Sequence, residues 1–190
     1  MTDAALDPEG IEYSAVTSWP VRVTVHAAAL VLLAVRFGTT WQLLVYLVMA
    51  ALLIEAAIID LETLRLPNTL LASAFAVGLV GLSVITVADD VGSIGGAVVG
   101  AAAGFLGMLV LHLVYPAGMG LGDVKLGAVM GLYLGWLGWG ALGVAFLGGI
   151  MLAGLCSGYL IWRDDRGSSA LPFGPFLVAT TIASSAIYAI

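Results

Sequence analysis

The sequence predicts an all-α, polytopic transmembrane helical bundle of about seven spans, and three observations lead to it. The chain of 190 residues is 62% hydrophobic and only 9% charged, too few polar side chains to cover a soluble domain of that size. Its apolar residues fall in runs at 21–37, 41–59, 69–87, 91–115, 125–137, 138–162 and 171–190. Most of these reach the length a bilayer core demands, about 20 residues per helix. Between the runs lie short breaks where Gly, Pro, Asn and charged residues collect.

Residues 1–20 form a polar tail with Asp3, Asp7, Glu9 and Glu12, expected to be solvated and disordered. A single transmembrane domain, 21–190, follows. No basic region precedes the first apolar run, so it does not read as a cleaved secretory signal. The first and fifth runs are short and must tilt little, or thin the bilayer around them. The second contains Glu55 and ends at Asp60. After it come Leu66-Pro67-Asn68, where Pro67 holds its predecessor extended and Asn68 is placed to cap the third run. The fourth run has Gly92, Gly96, Gly100 and Gly104 at every fourth position, a smooth face for close helix packing.

The break before the fifth run reads Gly118-Met119-Gly120-Leu121-Gly122-Asp123-Val124-Lys125. Alternating glycines disfavour a helix and leave room for another backbone to approach. Asp123 reads as the start of the next helix, where exposed amides favour an acid. Trp136, Trp139 and Trp162 fall at span ends, where interfacial aromatics belong. Pro172-Phe173-Gly174-Pro175-Phe176 introduces the seventh run.

Composition also excludes. A net charge of −6 with only six basic residues leaves no nucleic-acid surface. Cys156, the single cysteine, rules out an internal disulfide and reads as a small core residue. His26 and His112 lie in apolar runs without a second ligand nearby in sequence, so no metal site and no cofactor are expected.

Orientation follows from Lys and Arg. With the N-terminal tail in the cytoplasm, Arg22, Arg65, Lys125, Arg163 and Arg166 all fall on the cytoplasmic side, five of the six basic residues. Only Arg36 falls outside, and Asp89 and Asp90 sit in an outer loop. On this map Asp60 and Asp123 arrive at the same, cytoplasmic membrane face.

Two carboxylates meeting there suit one kind of chemistry. Close together they cannot both ionise easily, so they share a proton and titrate as a pair. The ionised member can take a proton from water while the protonated one polarises a peptide carbonyl, which is aspartyl proteolysis without covalent intermediate or metal. The helix ends suggest Asp123 as the base and Asp60 as the acid. The plainer alternatives are an ordinary helix cap for Asp123 and a surface ion pair with Arg65 for Asp60.

At Asp60 with Leu66-Pro67-Asn68, at Gly120-Leu121-Gly122-Asp123-Val124-Lys125-Leu126 and at Pro172-Phe173-Gly174-Pro175-Phe176, the chain resembles the type IV prepilin peptidases, the family that includes the archaeal preflagellin peptidases. The resemblance implies a six-helix membrane peptidase core, here runs two to seven, with the first run as an addition. It implies catalytic aspartates at Asp60 and Asp123. The expected partners are the bilayer and a prepilin, pseudopilin or preflagellin, cut at its leader on the cytoplasmic face of the cell membrane. Larger bacterial relatives add a cysteine-bearing N-terminal domain and methylate the new N-terminus. The short cysteine-free tail here implies peptidase activity without methylation. Presenilin-type peptidases share Gly-x-Gly-Asp but carry a Pro-Ala-Leu motif absent from this chain.

Gly120 and Gly122 are expected where an extended substrate approaches. Glu62 and Arg65 are expected to meet a basic leader or lipid headgroups, and Lys125 to steady Asp123 or meet headgroups. Glu55, inside the second run, is a site candidate by its depth or else a hydrogen-bonded boundary residue. The rival functions are a small proton or cation transporter or channel using Glu55, Asp60 and Asp123, and a non-catalytic assembly protein.

Overall fold

The computed structural model describes residues 18–116, 119–163 and 172–189, apart from the side chains of 160, 161 and 163. The acidic tail, Gly118 and Arg166 lie outside the described residues. Seven helices follow in order: α1 (Trp19–Phe37), α2 (Trp41–Thr63), α3 (Asn68–Asp89), α4 (Ile94–Val114), α5 (Leu121–Leu137), α6 (Trp139–Arg163) and α7 (Gly174–Ile187). Among the described residues there is no strand. Backbone groups have no water partner in lipid, so an apolar run satisfies itself by coiling into a helix.

Helices α1 to α4, and α6 over Trp139–Tyr159, are long and apolar enough to cross a membrane. The remaining two, α5 and α7, are shorter than expected of spans. The reason is clear for α5: it packs on α3, α4, α6 and α7, and its length is set by protein neighbours rather than by lipid. Asp123, Tyr133 and Trp136 are all buried along it.

Among the described residues, the seam between α4 and α5 is the tightest. Gly96, Gly100 and Gly104 face Gly135, Gly131 and Gly127, so closely that a methyl group on any of them would overlap a backbone carbonyl of the facing helix. Small residues allow such approach in lipid, where packing rather than water exclusion holds helices together. Gly92 is not part of this seam. It precedes α4 with φ +69, and a side chain there would meet the Trp136 ring. Trp136 is likewise not interfacial: it is 1% exposed and its indole N–H donates to Thr86 Oγ1 at 2.7 Å. Hydropathy places a tryptophan at a span end without showing whether the neighbour there is lipid or a helix. Trp139 and Trp162 are exposed.

Buried hydroxyls tie the remaining helices. Tyr46 of α2 donates to the Tyr133 carbonyl of α5 at 2.8 Å, and Tyr133 donates to the Ala74 carbonyl of α3 at 2.8 Å. At the far end from Asp60, Arg36 donates to the Ala186 and Ile187 carbonyls at 2.7 and 3.1 Å. The one basic residue expected outside therefore serves the C-terminal carbonyls of α7, which a cation suits. Cys156 is half-buried on α6, less enclosed than a core residue.

Candidate active site

Helix α2 runs to Thr63 and stops at Leu64, whose φ of 52 lies in the left-handed region. That conformation costs a non-glycine residue about 1–2 kcal/mol, and it turns the chain so that Leu66 tucks inward beneath α5. Leu66 is buried; a Cβ on Gly122 would stand 3.0 Å from the Leu66 Cβ, and one on Gly174 would stand 3.3 Å from Leu66 Cδ2. The Leu-Pro-Asn segment, the Gly-rich segment and the Phe-Gly-Pro segment are thus packed around one leucine.

They enclose a cleft of ≈ 470 Å³. Asp60, Asn68, Gly120, Gly122, Asp123, Lys125 and Phe173 are among the residues lining it. Asp60 is 5% exposed and Asp123 7%, yet both reach the cleft, near enough for their charges to act on one another. Asp60 is therefore not the outer half of a surface ion pair with Arg65, which lines the same cleft separately.

Each carboxylate has one oxygen held by a backbone amide. Gly174 N–H donates to Asp60 Oδ2 at 3.2 Å across 114 residues of sequence. Gly120 N–H donates to Asp123 Oδ2 at 3.1 Å. Both Asp60 and Asp123 consequently sit against a helix N-terminus, α7 and α5 respectively, so the unfavourable dipole of the α2 terminus at Asp60 is offset by α7. Helix ends alone therefore do not distinguish Asp123 as the base from Asp60 as the acid. Asp123 Oδ1 is buried and has no hydrogen-bond partner. A buried carboxylate oxygen left this way is costly unless something else binds there.

Three local expectations need correcting as well. Asp123 is not the helix cap: Gly120 is, and Asp123 stands in the first turn, where its carboxylate serves the cap residue's amide. Gly122 fits into that turn because first-turn amides lack intrahelical partners anyway. Asn68 does not cap α3 with its side chain. Its Oδ1 accepts from Lys125 Nζ at 2.7 Å, so Lys125 joins α3 to α5 at the cleft rim rather than pairing with Asp123.

Glu62 and Glu55 stand apart from the cleft. Arg22 of α1 bonds Glu55 Oε2 at 2.9 Å and Glu62 Oε1 at 3.3 Å, and His26 Nε2 lies 3.6 Å from Glu55 Oε1. This cluster fastens α1 to α2. Glu62 is thus spent on a helix–helix contact because its side chain leaves α2 on the α1 face, and Glu55 is the hydrogen-bonded boundary residue of its two expected forms. Reasoning from sequence missed Gly174 and His112. His112 Nδ1 lies 2.7 Å from the Met119 carbonyl oxygen and its ring is close enough to Asp123 to act on its charge. Among the described residues no three His, Cys, Asp or Glu side chains gather as a metal site.

The chain matches the model of the type IV leader peptidase family over residues 46–189. It is 31% identical over 165 residues to a prepilin leader peptidase/N-methyltransferase of Aeromonas hydrophila, covering 84% of this chain and 54% of that protein. A protein of the same description from Bacillus subtilis is 30% identical over 165 residues, 86% of this chain and 64% of that one. One from Pectobacterium carotovorum is 36% identical over 143 residues, 69% and 47%. The chain spans about half the length of most of these relatives. No solved structure matches it.

Proposed function

The chain belongs to the type IV leader peptidase family, and from that premise we propose that it is a membrane aspartic endopeptidase cleaving the leader of a prepilin, pseudopilin or preflagellin. Asp60 and Asp123 are its catalytic pair, working at the cytoplasmic face of the cell membrane. The observation that carries this is the cleft itself, where two buried carboxylates from distant motifs come within electrostatic reach, each with one oxygen occupied by an amide.

The pair holds one proton. The ionised carboxylate takes a proton from a water molecule. The resulting hydroxide attacks the scissile carbonyl, while the protonated carboxyl donates to the carbonyl oxygen. Collapse of the tetrahedral gem-diol expels the amine, which takes the proton drawn from water, while a gem-diol hydroxyl returns its proton to the other carboxylate, so the pair again holds one. Gly120 and Gly122 border the cleft without side chains that would keep an extended peptide away. Arg22, Arg65 and Lys125 lie at the end of the bundle where the cleft opens, the end assigned to the cytoplasm.

The test is co-expression with a candidate prepilin, following leader removal by mass. Asp60→Asn and Asp123→Asn should each abolish the mass shift while the variants still insert. Cleavage surviving in either single variant removes the dyad. The same spectra read whether the new N-terminus gains a methyl group. A reporter fused within residues 164–167 should read cytoplasmic; the opposite reading overturns the orientation.

A further inference from the structure

We propose that His112 is a positioning residue for Asp123, acting through the peptide group that joins Met119 to Gly120. This rests on the dyad reading above and names a residue that neither the motifs nor the family match singles out.

The contacts form a short relay. His112, in the last turn of α4, places Nδ1 2.7 Å from the Met119 carbonyl oxygen. A carbonyl oxygen only accepts, so Nδ1 carries the proton and donates. The next atom along the chain is Gly120 N, whose N–H donates to Asp123 Oδ2 at 3.1 Å. The carbonyl of Met119 and the amide of Gly120 are one planar unit. Its bond is trans, so C=O and N–H point in opposite directions. Pinning the oxygen on one side therefore aims the hydrogen on the other.

The same contact draws electron density toward the carbonyl oxygen and makes the amide a better donor. Nothing else described holds this peptide. Gly120 adds no side chain of its own. With Oδ2 fixed in this way, Oδ1 of Asp123, buried and without a partner, is the oxygen left for the reacting water or the shared proton.

The experiment uses the full chain in lipid nanodiscs with a prepilin substrate, comparing His112→Asn, His112→Gln and His112→Leu. An asparagine amide nitrogen overlays the position of Nδ1, whereas that of glutamine reaches the place of Nε2. His112→Asn should keep kcat near the parental value. His112→Gln and His112→Leu should lose about tenfold to a hundredfold in kcat, the scale of a misplaced catalytic group, with KM and the unfolding midpoint little changed. The Gly120 amide resonance of the resting protein should move in the Gln variant and stay in the Asn variant.

Equal kcat in the Asn and Gln variants, at whatever level, overturns the proposal, and that comparison stands even if the Leu variant fails to insert. Asp60→Asn and Asp123→Asn run alongside. If they are inactive while all His112 variants match the parent, only the His112 role falls. If they still cleave, the dyad itself has failed and this inference goes with it.

Discussion

The molecule uses glycine in two regions for opposite ends. Along the α4–α5 seam, Gly96, Gly100, Gly104, Gly127, Gly131 and Gly135 let one backbone press on another. At the cleft, Gly174 lets a backbone amide reach a carboxylate, since a Cβ there would crowd Asp60 Oδ2. The first use concerns whether the bundle assembles at all. The second concerns where two oxygen atoms stand once it has assembled. Absence of a Cβ serves both, and the tertiary partner decides which.

Substitutions should separate the two regions sharply. The largest effect is expected from Gly131→Leu, whose side chain has only the Gly100 carbonyl and the Ala101 backbone to enter. Overpacking ordinarily costs about 1–3 kcal/mol, and a rigid backbone cannot yield as a side chain can. Folded protein should disappear from the membrane fraction, and normal yield would show that the seam is looser than described.

Next comes Gly174→Ala. Its methyl group would stand 2.6 Å from Asp60 Oδ2, so the carboxylate must move. A fall in kcat of about a hundredfold is expected, as for a catalytic group displaced by about 1 Å, with the unfolding midpoint close to the parent. If midpoint and kcat collapse together, the cleft glycine belongs with the seam glycines after all.

Tyr133→Phe acts on the assembled side of the comparison. It removes the donor to the Ala74 carbonyl and should destabilise by about 1 kcal/mol, leaving kcat unchanged in a leader-cleavage assay. A lowered kcat with intact stability would tie the α3–α5 contact to the site. Smallest of all is Asn68→Ala, which frees Lys125 at the exposed rim. KM for substrate should change by at most about fivefold and the midpoint hardly at all; a larger loss in kcat would place Lys125 inside the chemistry.

Much of this was legible in advance, and the misses share a cause. The seven runs became seven helices because a long apolar segment in lipid has no other way to satisfy its backbone. The two aspartates were legible because acids at the edges of apolar runs stand out. Gly127, Gly131 and Gly135 carry the same four-residue spacing as the α4 stripe, so that half of the seam is legible in the sequence as well. Glu62 is expected at a basic leader or at lipid headgroups, but residues two apart on a helix point in different directions, so it leaves α2 away from Asp60 and faces Arg22.

What the order of residues determined alone is the set of helices and the presence of acids at the ends of two of them, since each depends only on local hydropathy and charge. What the tertiary structure alone decided is which amide serves which carboxylate. The Gly174 N–H reaches Asp60 only when α7 packs against α2, and the His112 ring reaches the Met119 carbonyl only when α4 lies beside the start of α5. Hydrogen bonds hold over about 3 Å, and no pattern along a chain specifies the distance between atoms on different helices.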